Sequence, residues 1–116
     1  MKTDSSLEDA VCFVCWHGVG LSLFCKDYFE DYLKRLGVEN VKVYNAGVQW
    51  YEERYAERIK SADLLVITLP EITEAEVRDK FNFEGRIYQL EEDRITLSEN
   101  KKKEWQQKVY AALVER

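Results

Sequence analysis

The amino-acid sequence predicts a three-layer α/β fold, a four-stranded parallel sheet with helices on both faces. Three observations predict it. Strand-like apolar runs and helix-like segments alternate in the order βαβαβαβα, and such alternation builds a parallel sheet covered by helices. The first apolar run, residues 10–15, is continuous rather than alternating, as in a strand buried on both faces. A glycine loop, Trp16-His17-Gly18-Val19-Gly20, then leads into a helix. Ligands of such sheets bind beyond the carboxyl ends of the strands, at loops of this kind.

Each element has its own signal. Residues 21–36 carry Leu21, Phe24, Cys25, Tyr28, Phe29, Tyr32, Leu33 and Leu36 at the three-and-four spacing of a helix, and Gly37 stops it. Residues 41–44 read as a second strand, with Asn45-Ala46-Gly47 turning out of it. A polar helix follows over 50–60, with Tyr51, Tyr55 and Ile59 on one side, and Ser61-Ala62-Asp63 breaks it. Residues 64–69 form the third strand, ended by Pro70. Thr73 caps a third helix, with Glu76 at the capping-box position, ending near Phe81. Residues 86–90 form a short fourth strand. Ser98 caps a last helix to about Val114, with Trp105, Val109, Ala112 and Leu113 inward. Residues 1–9 read as a tail and 10–116 as a single domain.

Composition narrows the class. The chain has 116 residues, 46% of them apolar, with 3 Trp, 7 Tyr and 5 Phe, enough for a real core. The net charge is −5, which gives nucleic-acid binding no electrostatic support. The Lys101-Lys102-Lys103 run is followed by Glu104 and reads as a solvated helix face. No apolar stretch is long enough to enter and span a bilayer. The polar, acidic start, Met1 to Glu8, is no signal peptide, so the expectation is a cytoplasmic protein whose three cysteines are reduced thiols.

Cys15 stands where the first strand meets the loop. Gly18 and Gly20 let the backbone curl and an anion approach, and the N–H groups of the loop and helix start point at one spot. A thiol there is pushed toward thiolate, the nucleophilic form. The candidate phosphate-binding residues are Trp16, His17, Gly18, Val19, Gly20, Leu21 and Ser22, through their backbone, with Ser22 also steadying the thiolate. The plainer alternatives are a glycine-rich turn with a buried cysteine, an exposed His17 and a Trp16 that merely packs. Cys12 and Cys15 spell C-x-x-C, but residues three apart on a strand point to opposite faces. That leaves Cys12 for the core; a zinc site would lack ligands, and neither metal nor cofactor is expected.

The residues resemble the low-molecular-weight protein tyrosine phosphatases. Val11-Cys12-Phe13-Val14-Cys15 before a glycine loop and Ser22 carries the likeness, with Asn45-Ala46-Gly47-Val48, Ser61-Ala62-Asp63-Leu64-Leu65-Val66-Ile67-Thr68, and Phe81 through Gly85-Arg86-Ile87-Tyr88-Gln89-Leu90 further on. The resemblance implies a flavodoxin-like, phosphotyrosine phosphatase I-like fold. It implies Cys15 as nucleophile and an acidic residue near the C-terminus as general acid, for which Asp93 is the positional candidate. The family has arginine where this chain has Leu21; that fork grips phosphoryl oxygens, which leucine cannot do. Arg94 is the nearest basic residue to Asp93.

The spacing Cys15-x-x-Gly18-x-Gly20-x-Ser22 also resembles the phosphocysteine loop of IIB components of the sugar phosphotransferase system, which need no loop arginine. The expectation is a sheet in the order 2-1-3-4 and a phosphatase-like protein of degenerate or weak activity. Its substrate would be a phosphorylated protein or small phosphoester. The alternatives are a IIB-type carrier fed by a phosphoryl-donor protein, and a non-catalytic anion-sensing or interaction module with Trp50, Tyr51 and Tyr55 as a partner surface.

Overall fold

The computed structural model describes residues 9–50, 52–90 and 99–115. Along the chain run β1 (Asp9–Cys15), α1 (Leu21–Leu36), β2 (Val41–Gly47), α2 (Glu53–Ser61), β3 (Leu64–Ile67), α3 (Glu74–Phe81), β4 (Arg86–Gln89) and α4 (Glu99–Val114). The four strands form one parallel sheet in the order β2-β1-β3-β4, as expected from the sequence. β1 is central and buried along its length beyond Asp9, which matches its unbroken apolar run.

Side chains alternate across β1 and split the core in two. Cys12 and Val14 join Tyr55, Ala56 and Ile59 of α2 and Val77 and Phe81 of α3 on one face. Val11 and Phe13 join Cys25, Phe29 and Leu33 of α1 and Trp105, Val109 and Leu113 of α4 on the other. Phe13 is fully buried and meets Phe29 and Trp105 edge-on, with ring centroids 5.6 and 5.9 Å away. Thr73 and Glu76 form the expected capping box of α3. Gly37 closes α1 in the left-handed conformation, φ 76°.

Several boundaries differ from the sequence reading. β2 does not turn out at Asn45: Asn45, Ala46 and Gly47 pair with Phe13, Val14 and Cys15. β1 begins at Asp9, opposite Val41. β3 ends at Ile67, and α2 starts at Glu53 and ends with Ser61. Phe24 is 51% exposed despite its helical spacing. Ala112 is only half-buried, while Gln106, not singled out by periodicity, is buried and donates through Nε2 to the Tyr28 carbonyl at 3.0 Å. Lys102 is not simply solvated: its ammonium lies 4.2 Å from the centre of the Tyr28 ring. Tyr51 and the Ser98 cap lie outside the described residues. Among the described residues no helix is long and apolar enough to cross a membrane.

Candidate functional site around Cys15

β1 delivers Cys15 to the end of the sheet, on the face covered by α1, and the loop carries the chain into the start of that helix. Gly18 is buried with φ +79°, a conformation that glycine adopts freely. A Cβ on it would lie 2.6 Å from the Gly47 nitrogen and 2.8 Å from the Tyr55 ring. Conversely, a Cβ on Gly47 would lie 2.5 Å from the His17 carbonyl carbon. Loop and β2 therefore meet backbone to backbone. The N–H of Val48 donates to the carbonyls of Cys15 and Trp16, and that of Gln49 to Trp16, at 2.9–3.1 Å. Lys80 on α3 donates in turn to the carbonyls of Val48 and Gln49, at 2.7 and 3.1 Å. The Thr68 hydroxyl, buried at the end of β3, donates to the Val14 carbonyl at 2.8 Å.

The cysteine sulfur sits in a small polar nest. The Ser22 hydroxyl is 3.0 Å from Cys15 Sγ, and the Gly18 N–H donates to it at 3.2 Å. Burial by itself pushes the Cys15 thiol up, but the Ser22 hydroxyl and the N–H groups of Ser22, Gly18 and Gly20 outweigh it and hold the thiol below its ordinary range. The start of α1 adds its partial positive charge. Ser22 does not cap α1, which has no side-chain cap at Gly20; its hydroxyl is turned to the sulfur instead. The other thiols are of a different kind. Cys12 is fully buried in the α2–α3 core and its thiol is pushed up by burial; that of Cys25 is pushed up to about 12, first by burial and then by Cys15. All three cysteines are free.

Of the predicted loop residues, Gly18 through its N–H and Ser22 through its hydroxyl meet the sulfur. Trp16 is half-buried against the α2–α3 core, and His17 and Val19 are exposed, Val19 by 65%. Leu21 packs half-buried against the α1–α4 core, so a hydrocarbon side chain occupies the position after Gly20. Asp93 and Arg94 lie outside the described residues. Val19, Leu23, Phe24 and Trp50 leave apolar side chains exposed on the loop, the first turn of α1 and the segment after β2.

Three residues support the site in roles not assigned to them from the sequence, where Asn45 reads as part of a turn and Tyr55 as a helix-side or partner-surface residue. Asn45 donates through its side-chain amide to the Gly18 carbonyl. Arg58 donates to the Asn45 carbonyl at 2.9 Å. The Tyr55 hydroxyl donates to the His17 carbonyl at 3.4 Å. Nothing in the sequence marks these side chains as partners of distant carbonyls.

No protein-family model matches this sequence, and no curated protein matches it. Solved structures do. A low molecular weight protein tyrosine phosphatase from Bacillus subtilis is similar, with a TM-score of 0.57 and 17% identity over 90% of this chain and 91% of that one. A YwlE mutant from Bacillus subtilis gives 0.56 and 15% over 91% and 94%. YfkJ from Bacillus subtilis gives 0.67 and 12% over 97% and 100%. The fold is thus that of the low molecular weight protein tyrosine phosphatases, a flavodoxin-like α/β fold, extending over nearly the whole chain.

Proposed function

We propose that this chain is a phosphatase-like protein whose Cys15 loop binds a phosphoryl group and whose Cys15 thiolate accepts it, with weak turnover. The observation that carries the reading is the sulfur held between the Gly18 N–H and the Ser22 hydroxyl. That arrangement suits a thiolate. The likeness of fold to a tyrosine phosphatase supports the same chemistry. In the reaction proposed, Cys15 Sγ attacks phosphorus, an S–P bond forms and the P–O bond to the leaving group breaks. The leaving oxygen takes a proton, for which Asp93 is the candidate donor. Water then attacks the phosphocysteine, releasing inorganic phosphate and returning the thiol. The backbone of Trp16 to Ser22 would hold the phosphoryl oxygens, in a cytoplasmic setting that keeps the thiol reduced.

Leu21 limits this chemistry. The phosphoryl group in transfer carries its charge over three oxygens, and removing one donor from a site that stabilises such charge costs about a hundredfold to a thousandfold in rate. A slow second step lets phosphocysteine persist, which favours the carrier reading as the alternative: a phosphoryl-donor protein loads Cys15 and an acceptor unloads it. The test is incubation with para-nitrophenyl phosphate between roughly pH 5 and 8, with mass spectrometry of protein quenched in alkaline denaturant, since a thiophosphate is lost in acid. Expected are slow release of nitrophenol and phosphate on Cys15, both lost in Cys15→Ser. Transfer to Cys15 only from a phosphorylated IIA protein establishes the carrier. No phosphoryl group on Cys15 from either source overturns both, leaving the non-catalytic module.

A further inference from the structure

We propose that Arg58 is a positioning residue for the Cys15 loop, acting through Asn45 and Tyr55 to fix the peptide groups on either side of Gly18. This rests on the reading of the Cys15 loop as the working site. The peptide between His17 and Gly18 is the critical one, because its N–H donates to Cys15 Sγ at 3.2 Å. The carbonyl of that same peptide accepts from the Tyr55 hydroxyl at 3.4 Å. The next peptide along is held by its own carbonyl, which accepts from the Asn45 amide. With both peptides pinned, the left-handed conformation of Gly18 is set, and with it the direction of the N–H.

One guanidinium reaches both of the residues that do the pinning, Asn45 at its main-chain carbonyl and Tyr55 at its ring. β2 lies at the edge of the sheet, and Arg58 Nη1 donates to the Asn45 carbonyl at 2.9 Å. The same guanidinium lies 5.6 Å from the centre of the Tyr55 ring, which packs beneath Gly18. A cation can be attracted to a ring face at such a distance. Arg58 is half-buried and α2 is packed on β2, so the contact is built into the layer rather than made by a free surface chain. The arrangement puts an arginine to use at this site in a structural capacity, from outside a loop that has none of its own.

The test compares Arg58→Gln, Arg58→Lys and Asn45→Ala with the parent chain. The readout is the pH at which Cys15 is alkylated at half its maximal rate by iodoacetamide, with folding checked by circular dichroism. Arg58→Gln and Asn45→Ala are expected to move that midpoint upward and to slow alkylation near neutral pH several-fold. Arg58→Lys, which keeps a cationic donor, is expected to restore most of the parent behaviour. A role confined to stability would lower melting temperature in all three and leave the midpoint alone, and that result overturns the proposal. So does a set in which none folds, since a positioning role requires the fold to survive. A parent Cys15 that alkylates as an ordinary thiol overturns this proposal together with the reading of the site. A reactive parent with unmoved variants overturns this one only.

Discussion

The Ser22 hydroxyl oxygen lies 3.0 Å from the Cys15 sulfur, and both residues are almost wholly buried. A buried thiolate without partners would revert to the thiol, and this contact is the largest of those that lower the Cys15 pKa. A hydrogen bond to a charged group is worth about 1.5 kcal/mol or more. Ser22→Ala is therefore expected to slow alkylation of Cys15 near neutral pH by roughly tenfold. Stopped-flow or mass-spectrometric labelling reads this directly; an unchanged rate means the sulfur is held by the N–H groups alone.

Stability should depend on pH with two opposite slopes. Burial raises the Cys15 pKa, but the Ser22 hydroxyl and the loop N–H groups bring it below the ordinary value of 9.0. Between the folded pKa and 9.0 the native chain carries the thiolate and the unfolded chain the thiol. The unfolded state then binds more protons, so stability rises with pH, and it is lost as pH falls through the folded pKa. Cys25, pushed up to about 12 chiefly by burial, and Cys12, pushed up by burial as well, act the other way. Above about pH 9 they ionise only on unfolding, and stability falls. Urea midpoints in reducing buffer should pass through a maximum, and Cys15→Ser should remove the rising limb. A parent curve that only falls contradicts this assignment.

Leu21→Arg restores a fork-shaped cation to the loop position that the family resemblance marks. Leu21 is half-buried, and an arginine stem can cover the same apolar surface while its head reaches the nest. Turnover of para-nitrophenyl phosphate is expected to rise on the order of tenfold to a hundredfold. If a folded Leu21→Arg chain turns over no faster, the loop is not shaped to hold a phosphoryl group beside that residue.

Phe13 ties the two halves of the α1–α4 core to β1. Phe13→Ala should cost about 3–5 kcal/mol, read from urea titration, because its edge-on contacts with Phe29 and Trp105 cannot be replaced by relaxation. A loss near 1 kcal/mol would mean that α1 and α4 collapse onto the vacancy.

Much of this architecture was legible because it is local. The three-and-four spacing from Leu21 to Leu36 and the stop at Gly37 set α1, and Thr73 with Glu76 set the start of α3. The unbroken apolar runs of β1 and β3 marked the sheet centre. The end of β2 was not legible, since Asn45-Ala46-Gly47 has the composition of a turn and is drawn into the ladder by pairing with β1. Phe24 has helical spacing yet lies half in solvent, which periodicity alone does not tell. The Cys15 loop was readable from its glycines and Ser22. Its supports were not, because Asn45, Tyr55 and Arg58 act on carbonyl groups far away in sequence, and a carbonyl leaves no mark on residue identity.

Gly18 and Gly47 interlock so that a methyl group on either would overlap the other's strand of backbone. The two positions therefore have no order in which they can be changed. Substituting one first creates the clash, and substituting both places two groups in one gap. A library randomised at both codons and selected for a folded, reactive thiol should return the glycine pair alone. The Cys15 end of this molecule is in that sense a mutational dead end, held in place by the absence of atoms.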